Sequence, residues 1–276
     1  MIPTHNSEKT AQSDVLANTL EALTNYDFGT PHRHAYFEFF YFTKGGGNHL
    51  IDFVQFPVHD RGVHIVGPGR VHQMKRELSS SGIVFLFELD ALHAPEAIAS
   101  FLFNQCCYDV QEHQPTFQLD QKDGMLLDLL IADVQKLPAE KTELETLMIR
   151  NVIQTLCIKC MESEEGKIQL HKDNHYTRFR QLVHKEFREV RQVQEYAKIL
   201  GMSEKSLNSL VKKNAGVNAS QIIYNELILE AKRLLNTGIS VKETAYELKF
   251  EDPAHFSKFF KSKTGSSPSD YRKVHG

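Results

Sequence analysis

Two stretches near the C-terminal end carry one and the same pattern of side chains. In Val193-Gln-Glu-Tyr-Ala197-Lys-Ile-Leu-Gly201-Met-Ser203-Glu-Lys-Ser-Leu207, a small alanine lets a second helix cross closely, and a glycine four residues later ends the first helix. Val241-Lys-Glu-Thr-Ala245-Tyr-Glu-Leu-Lys249-Phe250-Glu-Asp-Pro253-Ala-His-Phe256 repeats it. Val193/Val241 and Ala197/Ala245 are 48 positions apart, whereas Leu207/Phe256, Leu210/Phe259, Lys212/Lys261 and Gly216/Gly265 are 49 apart, so the second turn is one residue longer. A matched pair is an internal repeat of the helix-turn-helix unit, which chance seldom produces, and the chemistry it suits is the reading of duplex DNA. Cys157-Ile-Lys-Cys160 has metal or redox spacing, but it lies inside a continuous helical pattern with no second pair nearby. Its thiols are expected to pack. The sequence contains no nucleophile triad, P-loop or dinucleotide fingerprint, so no catalytic residue is assigned and an enzyme is not expected.

Charge divides the chain in the same way. From Lys167 onward there are 20 Lys+Arg against 12 Asp+Glu; before it there are 12 against 23. A basic C-terminal module supplies phosphate attraction, and an acidic remainder is kept off the polymer. The 276 residues are enough for two domains, and 41% hydrophobic with 24% charged is ordinary globular composition. No run approaches 18 apolar residues, and the N-terminus is polar without a signal-peptide core, so a cytoplasmic protein without membrane contact is expected. Cys106, Cys107, Cys157 and Cys160 do not form a secreted disulfide framework.

The elements that position these residues follow from periodicity. Ala35 to Thr43 is aromatic and β-favouring, Lys44-Gly-Gly-Gly47 is a turn, Asn48 to Gln55 alternates, Gly62 to Val66 leads into Gly67-Pro-Gly69, and Gly82 to Leu89 is a buried run. Short strands with Gly/Pro turns predict an antiparallel barrel or sandwich. Helices follow over Pro95 to Phe103, Gly124 to Leu137 and Glu140 to Met161. Leu144, Leu147, Met148 and Ile158, with Val152 and Leu156, are apolar at roughly helical spacing and face either a second copy of the chain or its own barrel. The charged stretch Glu162 to Asn174 reads as a linker. His175 to Glu189 opens the C-terminal module, and Ser220 to Leu235 predicts a rigid helix joining its two halves.

Phe250-x-Asp252-Pro-x-His-Phe256-Ser-Lys-x-Phe260-Lys-x-x-x-Gly265-x-Ser-Pro268-x-x-Tyr271-Arg272 resembles the signature of AraC/XylS-type bacterial transcription regulators, over roughly the last hundred residues. The resemblance implies recognition helices over Ser203 to Lys213 and Asp252 to Lys263, about one DNA turn apart. It places Lys205, Asn208 and Ser209 outward on the first, and His255, Ser257 and Lys258 on the second. Asn208 suits adenine, and Lys258 suits guanine or phosphate. Lys212, Lys213 and Lys261, at the helix ends, suit phosphate. Three positions depart from the family. Lys249 replaces a usual glycine and must adopt a left-handed conformation at about 1 kcal/mol. Ser209 replaces a frequent arginine, and Lys258, its counterpart, lacks arginine's planar bidentate fork.

His32-x-His34-x-x-x-Glu38 followed by Gly45, with Pro68-Gly69-x-x-His72, resembles the two cupin motifs, the second shortened by one residue; the barrel would occupy about Asn25 to Asp90. In metal-dependent cupins His32, His34, Glu38 and His72 would be the ligands, and i, i+2 spacing lets both early histidines face one side of a strand. In sensors of this regulator family the same barrel binds an organic effector. The shortened motif makes these four residues an expected effector pocket without metal or other cofactor.

The fold class expected is α+β: an antiparallel cupin-like β-barrel with a helical dimerisation segment (1–165), a linker (166–174) and an all-α double helix-turn-helix domain (175–276). The function expected is sequence-specific transcription regulation by a homodimer on double-stranded DNA, controlled by a small effector such as a sugar, with RNA polymerase as a further partner. A cupin enzyme or metal sensor fused to a DNA-binding module is the alternative, as is an N-terminal half that receives another protein.

Overall fold

The computed structural model describes residues 4–5, 15–20, 30–107, 110, 114–163 and 174–275. Most of the expected linker lies outside them, as do the side chains of Cys106 and Cys107. The chain forms two compact units, Ile2–Leu170 and His171–Gly276.

Strands β1 (Thr4–His5), β2 (Val15–Thr19), β3 (Arg33–His34), β4 (Phe37–Lys44), β5 (Gly47–Ile51), β6 (Val54–Pro57), β7 (Gly62–Val66), β8 (His72–Arg76), β9 (Ser81–Phe87) and β10 (Thr116–Gln118) build the N-terminal unit. Five form an antiparallel sheet in the order β10-β7-β4-β9-β2, three form another in the order β6-β5-β8, and β1 pairs with β3 in parallel. Among the described residues the strands hydrogen-bond as separate sheets, not as one closed ring. The sheet also reaches beyond the expected span of Asn25 to Asp90, because β2 and β10 add its two edges. Neither edge strand is long enough to show a clear alternation.

β4 is the central strand, and its alternation sorts two cores. Phe37, Phe39 and Tyr41 face one way, joining Val63, Ile65, Ile83 and Phe85 against three helices. Phe40 and Phe42 face the other way, joining Val84 of the neighbouring β9 and Ile51, Phe56 and Met74 of the smaller sheet. Gly82 is required where β9 meets β4: its φ is 153°, and a Cβ there would lie 2.1 Å from the Tyr41 carbonyl oxygen.

The covering helices are α1 (Glu96–Cys107), α2 (Gln121–Val134) and α3 (Glu143–Glu162). Asp120 caps α2 by accepting from the Asp123 amide, and Thr142 with Glu145 forms a capping box on α3. Ile149, Val152, Ile153, Leu156, Cys157 and Cys160 line the buried face of α3. Burial pushes the Cys157 thiol far up, so these cysteines are packing residues, as their place in the helical pattern predicts.

The C-terminal unit is all helical: α4 (Asn174–Glu186), α5 (Val193–Ile199), α6 (Glu204–Ala215), α7 (Ala219–Asn236), α8 (Val241–Glu247), α9 (Pro253–Thr264) and α10 (Pro268–His275). The central α7 buries Ile222, Ile223, Leu227, Ala231, Leu234 and Leu235. It also buries Glu226 and Glu230, which α4 and the turn after it satisfy through His184 at 2.9 Å and Arg188 at 2.6 Å. Burial alone would raise the Glu226 pKa, but the hydrogen bond and charge of His184, with the charges of Arg180 and Arg233, together outweigh it, and the carboxyl sits below its usual range.

Candidate functional site

Both halves of the repeat fold the same way. The Met202 amide donates to the Ala197 carbonyl at 3.0 Å, and the Phe250 amide donates to that of Ala245 at 2.9 Å. Gly201 takes φ 67° in the first turn and Lys249 takes φ 56° in the second. The lysine therefore adopts the left-handed conformation that its alignment with glycine demands. Arg191 clamps this second turn, its guanidinium 4.2 Å from the Phe250 ring centroid and donating to the Leu248 carbonyl.

The second helix of each half starts on a side-chain cap. Ser203 accepts from the Ser206 amide, and Asp252 accepts from the Ala254 amide with Pro253 at the first helical position. Each ends on a left-handed glycine, Gly216 or Gly265. Leu207 and Val211 are buried on α6, and Phe256 and Phe260 on α9. Lys205, Ser209, Lys212 and Lys213 are exposed on α6, as are His255, Lys258 and Lys261 on α9.

Two expected contact residues have partners within the unit. Asn208 Oδ1 accepts from the Ala219 amide at 3.2 Å, tying α6 to the start of α7, whose own cap residue Asn218 supplies no side-chain bond. Ser257 Oγ donates to the Pro253 carbonyl at 2.8 Å.

In the N-terminal unit, His32, His34, Glu38 and His72 are all buried, and the structure brings three of them to one point. His34 Nε2 lies 3.0 Å from His72 Nε2, and Glu38 Oε2 lies 3.3 Å from the former and 3.4 Å from the latter. β3 carries His34, β4 carries Glu38 and β8 carries His72. His34 Nδ1 donates to the Tyr36 carbonyl at 2.8 Å, leaving its Nε2 without a proton in the neutral ring. His32 stands beside the triangle, its ring 4.3 Å from that of His72, with Nδ1 3.1 Å from the Thr30 carbonyl. The backbones of His32 and His72 also form an isolated bridge.

The segment delivering His72 is pinned by a buried ion pair. Arg70 Nη1 lies 2.6 Å from Asp52 Oδ2, both side chains almost fully excluded from solvent, and Asp52 Oδ1 accepts from the Val71 amide.

The cluster is larger than the motif residues. His49 Nε2 lies 3.0 Å from His72 Nδ1, and His49 Nδ1 lies 3.1 Å from His64 Nδ1. Burial holds His49 well below the usual imidazole range, helped by His64, His32 and His34. Burial, with His59, brings His64 down to about 3, although its hydrogen bond to the Pro57 backbone opposes the shift. Sequence reasoning missed both. Their signal was alternation: His49 sits between outward Asn48 and Leu50 on β5, and His64 sits on a strand buried throughout.

Residues 196–274 match the helix-turn-helix domain family. The uncharacterized HTH-type transcriptional regulator YfiF of Bacillus subtilis (strain 168) is 25% identical over 265 residues, covering 92% of this chain and 82% of that protein. The transcriptional activator NphR of a Rhodococcus species is 31% identical over 108 residues, 38% of this chain and 32% of its own. Among solved structures, ToxT from Vibrio cholerae aligns over 95% of this chain and 99% of its own, at 13% identity and a TM-score of 0.44. The C-terminal unit is an AraC-type helix-turn-helix domain. With it, the chain is a DNA-binding transcriptional regulator.

Proposed function

We propose that this regulator grips duplex DNA with α6 and α9 and is switched by a ligand held at His34, Glu38 and His72. One observation carries the DNA contact: both second helices of the repeat present exposed lysines above a buried apolar face. Lys205, Ser209, His255 and Lys258 face base edges, and Lys212, Lys213 and Lys261 face phosphates. Asn208 and Ser257 mainly hold the helices in place. The domain limits proposed are 1–165 for sensing and dimerisation, 166–174 for the linker and 175–276 for DNA binding. Electrophoretic titration of genomic fragments at several salt concentrations tests this part. Retention by 167–276 no stronger than by 1–165 would sink it.

The expected occupant of the N-terminal unit is a small organic effector in a cupin-like barrel. The donor spacing favours a divalent metal ion instead. Two imidazole nitrogens and a carboxylate oxygen stand 3.0–3.4 Å apart, about the separation of neighbouring ligands on one ion at bond lengths near ~2.1 Å. An organic molecule cannot enter that triangle without opening it. The geometry therefore supports a metal-responsive regulator best, with His34, Glu38 and His72 as ligands and His32 nearest to a fourth position. Elemental analysis and DNA titration with and without chelator test it. Metal-free protein whose DNA affinity answers to an organic metabolite would return the effector reading.

A homodimer is proposed through α3. Leu144, Leu147 and Ile158 are exposed on the side opposite its buried face, while Met125, Leu126 and Leu129 are exposed on neighbouring α2. Leu144 and Ile158 each lie seven residues from Asn151, so an antiparallel second copy would set Leu144 against Ile158 with Asn151 on the two-fold axis.

A further inference from the structure

We infer that His49 and His64 are positioning residues for this metal centre, acting through the tautomer of His72; the inference rests on the metal reading above. Tautomers follow from the hydrogen-bond network, because a bond between two imidazoles holds one proton. An ion held by His34, Glu38 and His72 takes the Nε2 lone pair of His72, so the one proton of that neutral ring sits on Nδ1. His49 Nε2 lies 3.0 Å from that Nδ1 and accepts its proton, and His49 Nδ1 then donates to His64 Nδ1 at 3.1 Å. His72 Nε2 faces His34 Nε2 at 3.0 Å and Glu38 Oε2 at 3.4 Å. His34 is held from the other side by its bond to the Tyr36 carbonyl. In this proton arrangement all three converging atoms offer lone pairs to one cation.

The relay is built, not incidental. His49 and His64 are buried, and their rings meet Phe40 and Phe42 edge-on at centroid distances of 5.3 and 5.1 Å. These walls keep water from replacing either imidazole as the partner of the next. His49 occupies the outer-shell position in which a hydrogen-bond acceptor orients a ligating imidazole and raises its basicity. His64 fixes His49 in turn. The five-residue group therefore divides by role: His34, Glu38 and His72 hold the ion, and His49 and His64 keep His72 in the only neutral form that offers Nε2.

The test is competition of the full-length protein against a chromophoric chelator for Co2+ and Zn2+, with the visible Co2+ spectrum recorded and folding checked by circular dichroism. Wild type is expected to bind one ion per chain, and His34→Ala to bind none. His49→Leu should bind about 10–100-fold more weakly, with an altered Co2+ spectrum. His49→Gln retains an acceptor for His72 and should recover most of the affinity. Should His49→Leu fail to fold, His64→Leu, one bond further from the ion, should still weaken binding measurably. Wild-type affinity and an unchanged spectrum in the folded leucine variants would overturn the inference while leaving the metal reading intact. Absence of stoichiometric metal in wild type, or uptake indifferent to His34→Ala, would remove the metal reading itself and the inference with it.

Discussion

Gly201 and Lys249 hold the same place in two copies of one turn, with φ of 67° and 56°. The amide one position on from each reaches back to an alanine carbonyl, Ala197 or Ala245. Only the first residue is suited to that backbone. Lys249 carries a Cβ into the left-handed region, and its ammonium group recovers little by standing 3.6 Å from an exposed Glu189 carboxylate. Lys249→Gly is therefore expected to stabilise the C-terminal unit by about 0.5–1 kcal/mol, less than the full conformational cost because glycine also loosens the unfolded chain. Urea unfolding of the two proteins measures it, and a destabilised variant would contradict it.

DNA contacts should separate by class. Lys258→Ala is expected to cost about 1–3 kcal/mol on the preferred sequence and less on random DNA, as a base reader does. Lys212→Ala should weaken all sequences alike and make the salt dependence shallower. Asn208→Ala should behave as neither. Its bond to the Ala219 amide is lost, so about 1 kcal/mol of stability goes with it, whereas affinity measured well below the melting temperature changes little. A large loss of sequence preference in Asn208→Ala would make it a base reader instead.

The Arg70–Asp52 pair gives a second stability test. Arg70→Met removes the guanidinium 2.6 Å from the buried Asp52 carboxylate, at an expected cost of about 3–5 kcal/mol. Adding Asp52→Asn should recover much of that loss, since the amide oxygen can still accept from the Val71 amide. Additive losses in the double variant would show that the pair does not act as a unit.

His64 sets a pH limit on the N-terminal unit. Its pKa is about 3 when folded, against roughly 6.5 in an unfolded chain, so between these values the unfolded state takes up a proton that the folded state refuses. Stability contributed by the neutral ring is complete above pH 6.5 and is lost as pH falls towards 3. About 1–2 kcal/mol should disappear between pH 6.5 and 5, at 1.36 kcal/mol per unit. His64→Gln should flatten this slope in denaturant titrations across that range; an unchanged slope would refute the assignment.

The α3 face predicts the oligomeric state. Leu147→Asp combined with Ile158→Asp should give a monomer by sedimentation, with the fold of each unit retained, because both side chains are exposed in the single chain. A dimer that survives both changes is held together elsewhere.

The sequence by itself determined the elements whose signals are local. The repeat, its alanines, caps and terminal glycines marked α5, α6, α8 and α9, because a helix-turn-helix is built from contacts between near neighbours. Even the left-handed Lys249 was legible, from its alignment with Gly201. Strands β4, β7 and β9 and the three helices were legible too, since period 2 and period 3.6 are written residue by residue, whereas β8 was not expected and the single run Asn48 to Gln55 folds as the two strands β5 and β6. Tertiary structure decided the rest. The edge strands β2 and β10 exist because longer strands hold them, and the separation into two sheets depends on which partners each strand finds. Spacing put Asn208 among the expected base readers, and only folding put the start of α7 beside it. The histidine cluster shows the limit best. Motif spacing pointed to His32, His34, Glu38 and His72, but only the packing of β5, β7 and β8 against β4 joined His49 and His64 to them and left His32 at the side. Hydrogen bonds between side chains 15 and 23 positions apart have no local signature, because the chain between them can close in many registers and only the folded sheet selects one.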